Sequence, residues 1–172
     1  NCPGQNMIFA CKSGDIAMKP QGQFHAKWKG QGDFRMPGED SSYMWQGMIP
    51  DSENIIMHNP ERGFVSSANQ KPADSNYPYY LGREYPVARG LLINKRLAGM
   101  QQITPEDMMA LQTDNYNIYA AEMMPVFLKV ININSLNEPE KKYFSLLGQW
   151  DLRNDESSEG ATVYDQFFKE FK

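Results

Sequence analysis

The sequence changes character at Pro86, and this change limits the folds that the chain can adopt. Before Pro86, short runs of strand-forming residues alternate with turns rich in Gly and Pro. After it, apolar residues recur at helical spacing, first in the segment 87–99, where Gly99 is a typical helix-ending residue. A β-rich first half and a helical second half predict an α+β fold. With 172 residues, we expect a single domain over 1–172, with strands over about 1–70 and helices over about 85–172.

Turn signals in the first half predict where the strands reverse. Ser13-Gly14-Asp15 lies between two strand-like runs and predicts a β-hairpin. The segment 54–69, NIIMHNPERGFVSSAN, predicts two short strands around a turn at residues 58–61. Residues 43–50, YMWQGMIP, predict a short aromatic strand or turn.

The second half carries the signals of three more helices. The segment 104–124, TPEDMMALQTDNYNIYAAEMM, favours one long helix with a threonine cap and proline at its first helical position. Pro125 is expected to kink or end this helix. Another helix is predicted from about 139 to 150, and the amphipathic tail 160–172 predicts the last.

Composition and charge argue against several classes of protein. The net charge is -4 and no basic run exceeds two residues, so we expect no nucleic-acid partner. The longest apolar stretch, 125–131, is interrupted by Lys129, so we expect no membrane span. Two histidines, His25 and His58, are too few and too far apart for a zinc site. The chain opens on NCPGQN without Met, and we expect it to be a piece of a longer protein.

The two cysteines leave two interpretations open. Cys2 and Cys11 would form a disulfide across a short hairpin, which would make the chain a small stapled secreted module. Alternatively both are free thiols, and the demanding geometry of a disulfide favours this second interpretation.

An ordered set of motifs spans nearly the whole chain and resembles the penicillin acylase (penicillin amidase) family of N-terminal-nucleophile hydrolases. Each motif alone is weak, but their order and spacing are specific. The matching segments are CPGQNMIFACKSGDIAM (2–18), MPG (36–38), YMWQGMIP (43–50), NPERGFVSSANQ (59–70), YPYYLGREYPVARGLLI (77–93), TPEDMMALQTD (104–114) and LLGQWD (146–151).

This resemblance implies a fold, a mechanism and a location. The fold is αββα, with two stacked sheets between helical layers, of which this chain would be a part. A precursor cuts itself and frees a Ser at a new N-terminus, and this Ser attacks an amide with its own α-amino group as base. The substrates are small N-acyl amides such as β-lactams or acyl-homoserine lactones. Such enzymes need no organic cofactor and are periplasmic or secreted.

The nucleophile itself is expected outside this chain. Asn1 has neither a hydroxyl nor a thiol, and Cys2 stands inside the motif rather than at a processed terminus. The chain therefore resembles an internal part of the catalytic β-chain. Its expected partners are the α-chain and the N-terminal part of the β-chain of the same precursor, and we expect no amidase activity from it alone.

Two residues carry the expected chemistry. Asn69 matches the family asparagine that donates to the oxyanion, whereas the interpretation from composition alone is a turn residue. Arg89 matches an arginine that organises the nucleophile, and a cation at a helix start is not there for helix stability. Gln70 stands where the family often has a second Asn.

Other matched positions are given structural or weaker roles. Asp114 is expected to pair with a buried cation or to cap a loop. Gln5, Asn6 and Met7 lie in a strand that resembles one lining the acyl pocket, and core packing is the favoured role of Met7.

Calcium binding and a non-enzymatic role complete the expectations. Some family members bind calcium, but no ligands are identifiable here beyond the loop candidates Asp33 and Asp74. The alternative function is a binding or scaffolding domain that retains the fold only. Its partner surface would be aromatic: Trp45, Tyr77, Tyr79 and Tyr80.

Overall fold

The computed structural model describes residues 5–83 and 85–171. The chain forms two compact units, Asn1–Gly99 and Met100–Lys172. The first unit contains a three-stranded sheet and one α-helix, and the second contains four α-helices, within the described residues. The mixed α+β class is therefore confirmed, whereas the single domain stays a prediction.

The sheet of the first unit is antiparallel and is built on the predicted hairpin. Strand β1 (Asn6–Ala10) pairs with β2 (Ile16–Pro20), which also pairs with the short β3 (Met57–His58). The turn between β1 and β2 contains Gly14 at φ 95°, a left-handed conformation that glycine adopts without strain. The hairpin prediction at residues 13–15 is confirmed.

The second strand predicted within 54–69 is wrong. Beyond β3 the chain turns at Pro60–Gly63, and residues 64–67 have no ladder partner among the described residues. Side chains hold this segment instead, so its extended form does not come from sheet pairing. In the segment 43–50, Met48 forms an isolated antiparallel bridge with His25, and the segment forms no strand beyond this bridge.

Helix α1 (Ala88–Gly99) ends at the predicted glycine. Its buried positions, Gly90, Leu92 and Leu97, face the interior of the first unit. This helix begins one residue before Arg89, so it places the arginine in its first turn.

The long helix predicted over 104–124 is wrong, because the segment forms two helices. Helix α2 (Pro105–Gln112) begins with the predicted Thr104 cap, and helix α3 (Ile118–Val130) begins with a cap by Asn117. The Asn117 side chain accepts the Ala120 N–H at 2.9 Å. This bond satisfies one of the free N–H donors at the start of a helix, so it stabilises the beginning of α3 at residue 118. Pro125 lies inside α3 and does not end it.

Helices α4 (Glu138–Gln149) and α5 (Glu159–Phe171) agree closely with the predicted segments. The core of the second unit is a buried cluster of side chains from α3, α4 and α5: Ala120, Met124, Leu147 and Tyr164. Trp150 packs against Tyr164, with ring centroids 5.3 Å apart, and donates its indole N–H to the Arg153 carbonyl at 2.8 Å. Within residues 5–83 and 85–171, no helix is long and apolar enough to span a bilayer.

The close approach of α5 to Trp150 generates a stability prediction. A Cβ at Gly160 would lie 2.5 Å from Cγ and 2.6 Å from Cβ of Trp150, so Gly160→Ala forces a backbone shift. We expect the free energy of unfolding to fall by about 1–3 kcal/mol. The matched control is Gly148→Ala near the end of α4, where an added Cβ meets no atom within 4 Å.

Denaturant unfolding of both variants measures the difference. Gly148→Ala is expected to leave stability unchanged or slightly higher, because Ala favours helix more than Gly does. Equal stability of Gly160→Ala and the parent would contradict the tight packing of α5 on Trp150.

Candidate functional site

Asn69 stands at the end of the extended segment in a left-handed conformation, with φ 63°. Asparagine tolerates this conformation better than most non-glycine residues. Its side chain is exposed, while Ser66 and Ala68 just before it are buried, with 8% and 6% exposure. The backbone therefore presents the Asn69 amide outward from an anchored turn.

Arg89 contacts this amide directly. The Arg89 guanidinium donates a hydrogen bond through Nη2 to Oδ1 of Asn69. Arginine has donors and no acceptor, so it fixes which end of the amide faces it. The amide nitrogen of Asn69 consequently faces away from Arg89 with both of its N–H groups. The structure thus brings the two predicted site residues together, although 20 positions separate them.

The segment before Asn69 is anchored on α1 and on β1. Ser66 donates through its hydroxyl to Oδ1 of Asn94 in α1 at 2.8 Å. Arg62 contacts the same Asn94 oxygen at 3.4 Å. From the sheet side, Nδ2 of Asn6 donates to the Ser67 hydroxyl at 2.7 Å. Hydrogen bonds between polar side chains therefore hold this segment in place, as backbone hydrogen bonds hold a strand in a sheet.

Gln70 also supports the turn, through its own side chain. Its Oε1 accepts the Ala68 N–H at 2.5 Å, and its Nε2 donates to the Ser66 carbonyl at 3.0 Å. The side chain lies against Gly90 of α1. Sequence reasoning treated Gln70 only as a departure from the family pattern. A glycine in the first turn of a helix, directly after Arg89, was the signal that a close contact occurs there.

The loop between Asn69 and Arg89 is fastened by tyrosine hydroxyls. Tyr79 donates to the Glu53 carboxylate, Tyr77 donates to the Glu53 carbonyl at 3.1 Å, and Tyr80 donates to the Asp33 carboxylate. These carboxylates stabilise the protonated phenols. The hydrogen bond to Asp33, with smaller contributions from desolvation and the Asp33 charge, raises the pKa of Tyr80 to about 12. The hydroxyls of three of the four aromatic residues expected at a partner surface are thus hydrogen-bonded within the chain, and the partner surface itself stays a prediction.

This pairing generates a titration prediction. Tyrosine ultraviolet absorbance should contain one component that ionises at pH about 12, rather than near the ordinary value of 10.0. Because the folded pKa is raised, the stabilisation is complete below pH 10 and is lost as the pH rises towards 12. Tyr80→Phe removes this component, and Asp33→Asn moves it to lower pH. A Tyr80 that titrates unchanged in Asp33→Asn would contradict the pair.

The remaining predicted positions take structural roles or stay exposed. Asp114 pairs with Arg153 at 3.3 Å and accepts the Tyr116 N–H at 3.2 Å, which agrees with its expected structural role, although Arg153 is 40% exposed rather than buried. Core packing of Met7 is wrong, because Met7 is 59% exposed. It lies on β1, which is an edge strand of the sheet, and its neighbours Ile8 and Phe9 are also exposed.

The calcium candidates Asp33 and Asp74 each have a hydrogen-bond partner within the chain. Asp33 accepts the Tyr80 hydroxyl through one carboxylate oxygen, and Asp74 accepts the Asn76 N–H through one of its own. Residues 5–83 and 85–171 contain no group of three or more His, Cys, Asp or Glu side chains that would hold a metal ion. Calcium binding elsewhere in a longer protein stays a prediction.

Cys11 is a free, half-buried thiol in the hairpin turn. Its sulfur lies 2.8 Å from the Ser13 hydroxyl, and this hydrogen bond is the main cause that lowers the pKa of the Cys11 thiol. Cys2 and Asn1 lie outside the described residues, so the expectations for them stay predictions.

Comparison with known proteins decides the family. The sequence model of the Penicillin amidase family matches residues 1–172. The chain belongs to the penicillin amidase family. Its resemblance to this family, inferred from the motifs, is confirmed.

Relatives and a solved structure show how much of the family's architecture this chain covers. It is 26% identical over 180 residues to the acyl-homoserine lactone acylase QuiP of Pseudomonas fluorescens Pf-5, covering 96% of this chain and 22% of the relative. It is 23% identical over 163 residues to the penicillin acylase 2 proenzyme of Pseudomonas sp. SE83, covering 94% of this chain and 21% of the relative. The chain thus spans about a fifth of the length of these curated relatives.

The fold agrees with that of a solved penicillin amidase family structure. The thermostable penicillin G acylase from Alcaligenes faecalis, in its orthorhombic form, superposes with a TM-score of 0.63 at 19% identity. The match covers 88% of this chain and 28% of that chain. The likeness establishes that the chain has part of the fold of an N-terminal-nucleophile hydrolase.

Proposed function

We propose that this chain is part of an amide hydrolase that cleaves N-acyl amides, with Asn69 as the oxyanion donor. The observation that carries the proposal is the hydrogen bond from Arg89 to Oδ1 of Asn69. The bond leaves the amide nitrogen of Asn69 directed away from the arginine. This is the orientation that an oxyanion donor needs.

The chemistry of amide cleavage gives the donor its value. Attack on the substrate carbonyl carbon converts the carbonyl oxygen into an oxyanion. A fixed N–H aimed at that oxygen stabilises the transition state by roughly 3–4 kcal/mol. An asparagine supplies the N–H without adding a charge to the site, and its orientation costs nothing during the reaction because Arg89 already holds it.

Arg89 has a positioning role in this proposal. Its permanent charge also favours a developing negative charge nearby, since the guanidinium remains protonated at any physiological pH. An arginine in the first turn of a helix is unfavourable for the helix dipole, so its placement at the start of α1 is explained by the contact with Asn69.

The attacking group comes from another segment in this proposal. We infer a longer precursor, whose α-chain and N-terminal β-chain segment complete the site, in which self-cleavage frees a Ser. The free α-amino group of that Ser, with a pKa of about 8, serves as the base. A periplasmic or secreted location follows from the resemblance. The short length of the chain relative to the acylases that it matches supports this division.

The names of the relatives define the substrate class that we propose. One is an acyl-homoserine lactone acylase and another is a penicillin acylase. Both names imply an acyl group, so we propose small N-acyl amides, either β-lactam side chains or acyl-homoserine lactones. Which acyl group is preferred depends on pocket residues in the other segments.

The decisive variant is Asn69→Asp in the complete protein. Aspartate has the same shape, tolerates the left-handed backbone and still accepts from Arg89, but it has no N–H to donate. We expect kcat on chromogenic acyl-amides to fall by at least about 10²–10³-fold. The two mature chains are produced as separate polypeptides, so that the assay does not depend on self-cleavage.

The control is Asn134→Asp, which makes the same change of charge at an exposed position of the second unit. It is expected to keep the parent's kcat. An Asn69→Asp enzyme as fast as the parent would show that Asn69 is a turn residue only. A complete, folded protein that cleaves no acyl-amide, β-lactam or acyl-homoserine lactone would favour the non-catalytic binding domain.

A second variant tests Arg89 separately. Arg89→Met frees the Asn69 amide to rotate, and we expect kcat to fall roughly 10- to 100-fold, as for the loss of a charge-assisted hydrogen bond. Arg89→Lys keeps the charge and one donor and should lose less. Thermal unfolding should be little changed, because removal of a cation from the first turn favours α1. Full activity of Arg89→Met would contradict the positioning role.

A further inference from the structure

Gly90 occupies a helix position at which glycine is otherwise unfavourable. It is the third residue of α1, in the first turn, and it is buried, and alanine has a higher intrinsic helix propensity than glycine. A Cβ at this position would lie 3.0 Å from Cβ, 3.1 Å from Oε1 and 3.3 Å from Cδ of Gln70. At Gly99, in the same helix, an added Cβ would meet nothing within 4 Å. The glycine at position 90 therefore makes room for one side chain, that of Gln70.

That side chain closes the turn that carries Asn69. Oε1 of Gln70 accepts the Ala68 N–H at 2.5 Å, and Nε2 donates to the Ser66 carbonyl at 3.0 Å. Ser66 and Ala68 are both buried, so their backbone N–H and C=O groups need hydrogen-bond partners. The segment 64–67 has no neighbouring strand among the described residues that could supply them. Asn69 lies between Ala68 and Gln70. The Gln70 side chain therefore reaches back past Asn69 and binds the backbone of the two buried residues before it, Ser66 and Ala68.

Two neighbouring residues of the turn thus meet two neighbouring residues of the helix. Asn69 contacts Arg89, and Gln70 contacts Gly90. One turn further along α1, Asn94 accepts from the Ser66 hydroxyl at 2.8 Å. Three contacts fix both the distance and the orientation of the turn relative to α1. A single hydrogen bond between exposed side chains would not fix the orientation.

We propose that Gln70 and Gly90 are positioning residues that set where the Asn69 amide points for catalysis. This inference rests on the proposed role of Asn69 as oxyanion donor. A methyl group at position 90 would displace Gln70 by a few tenths of an ångström and shift the turn with it. Donor geometry in active sites must be held within about 0.5 Å, and a shift of a few tenths of an ångström takes up much of that tolerance.

The test is Gly90→Ala in the complete, mature protein. We expect kcat to fall about 10- to 100-fold with KM unchanged, because a displaced oxyanion donor affects the transition state and not substrate binding. The melting temperature should be unchanged or higher, since alanine favours α1. Gly99→Ala is the control, since it makes the same substitution at the other end of α1 with no close contact, and it should keep the parent's kcat.

A double-mutant cycle separates positioning from general damage. In the Asn69→Asp background, the donor is already absent, so Gly90→Ala should cause no further loss of kcat. An equal loss of kcat in both backgrounds would overturn the proposal, as would a Gly90→Ala enzyme with the parent's kcat. If Gly90→Ala does not fold, Gln70→Glu replaces it in the cycle, because it keeps the acceptor for Ala68 N–H and removes the donor to Ser66.

The same cycle distinguishes failure of this proposal from failure of the proposed function. If Asn69→Asp alone keeps the parent's kcat, the oxyanion role is contradicted and the positioning proposal falls with it. If Asn69→Asp is slow but Gly90→Ala and Gln70→Glu are both as fast as the parent, only the positioning proposal is overturned.

Discussion

The hydrogen bond from Arg89 to the side-chain amide oxygen of Asn69, Oδ1, is the interaction on which the candidate site depends. A guanidinium offers only donors, so the bond selects one orientation of an amide whose two ends have nearly the same shape. An exposed asparagine would otherwise rotate freely. In this chain Asn69 has a strained left-handed backbone conformation, and Arg89 lies in the first turn of α1, where a cation does not stabilise the helix. The hydrogen bond between the two side chains explains both features.

The surroundings of this pair explain how a segment without sheet partners stays in place. Residues 64–67 are extended but unpaired in the described structure, and polar side chains anchor them on α1 and β1. Gln70 supplies the backbone hydrogen bonds of the turn, and the missing side chain at Gly90 lets it approach the helix. The tyrosine–carboxylate pairs of the following loop fasten the chain between Asn69 and Arg89.

Local signals in the sequence predicted the elements that depend on neighbours in the chain. The 13–15 turn, the Gly99 helix end, the Thr104 cap and helices α4 and α5 follow from capping, turn chemistry and apolar spacing. The predictions that failed depend on distant partners. A strand over 64–69 needs a neighbouring strand, and the break before Asn117 is held by a hydrogen bond to the Leu152 carbonyl, 35 residues away.

The candidate site was predictable in part for the same reason. Asn69 and Arg89 were identified from a family motif, because nothing in their spacing of 20 residues requires them to meet. The support from Gln70 was missed, since its partner Gly90 is recognised only when the helix packs against the turn. The glycine directly after Arg89, in the first turn of a predicted helix, was the available signal.

The most direct test of the central claim is a crystal structure of the complete protein with a tetrahedral transition-state analogue. The distance between Nδ2 of Asn69 and the analogue's oxyanion oxygen is the quantity to measure. We predict about 2.7–3.1 Å, with Oδ1 of Asn69 still accepting from Arg89. An oxyanion bound only by other groups, with Asn69 turned away from it, would contradict the role of Asn69 as the donor.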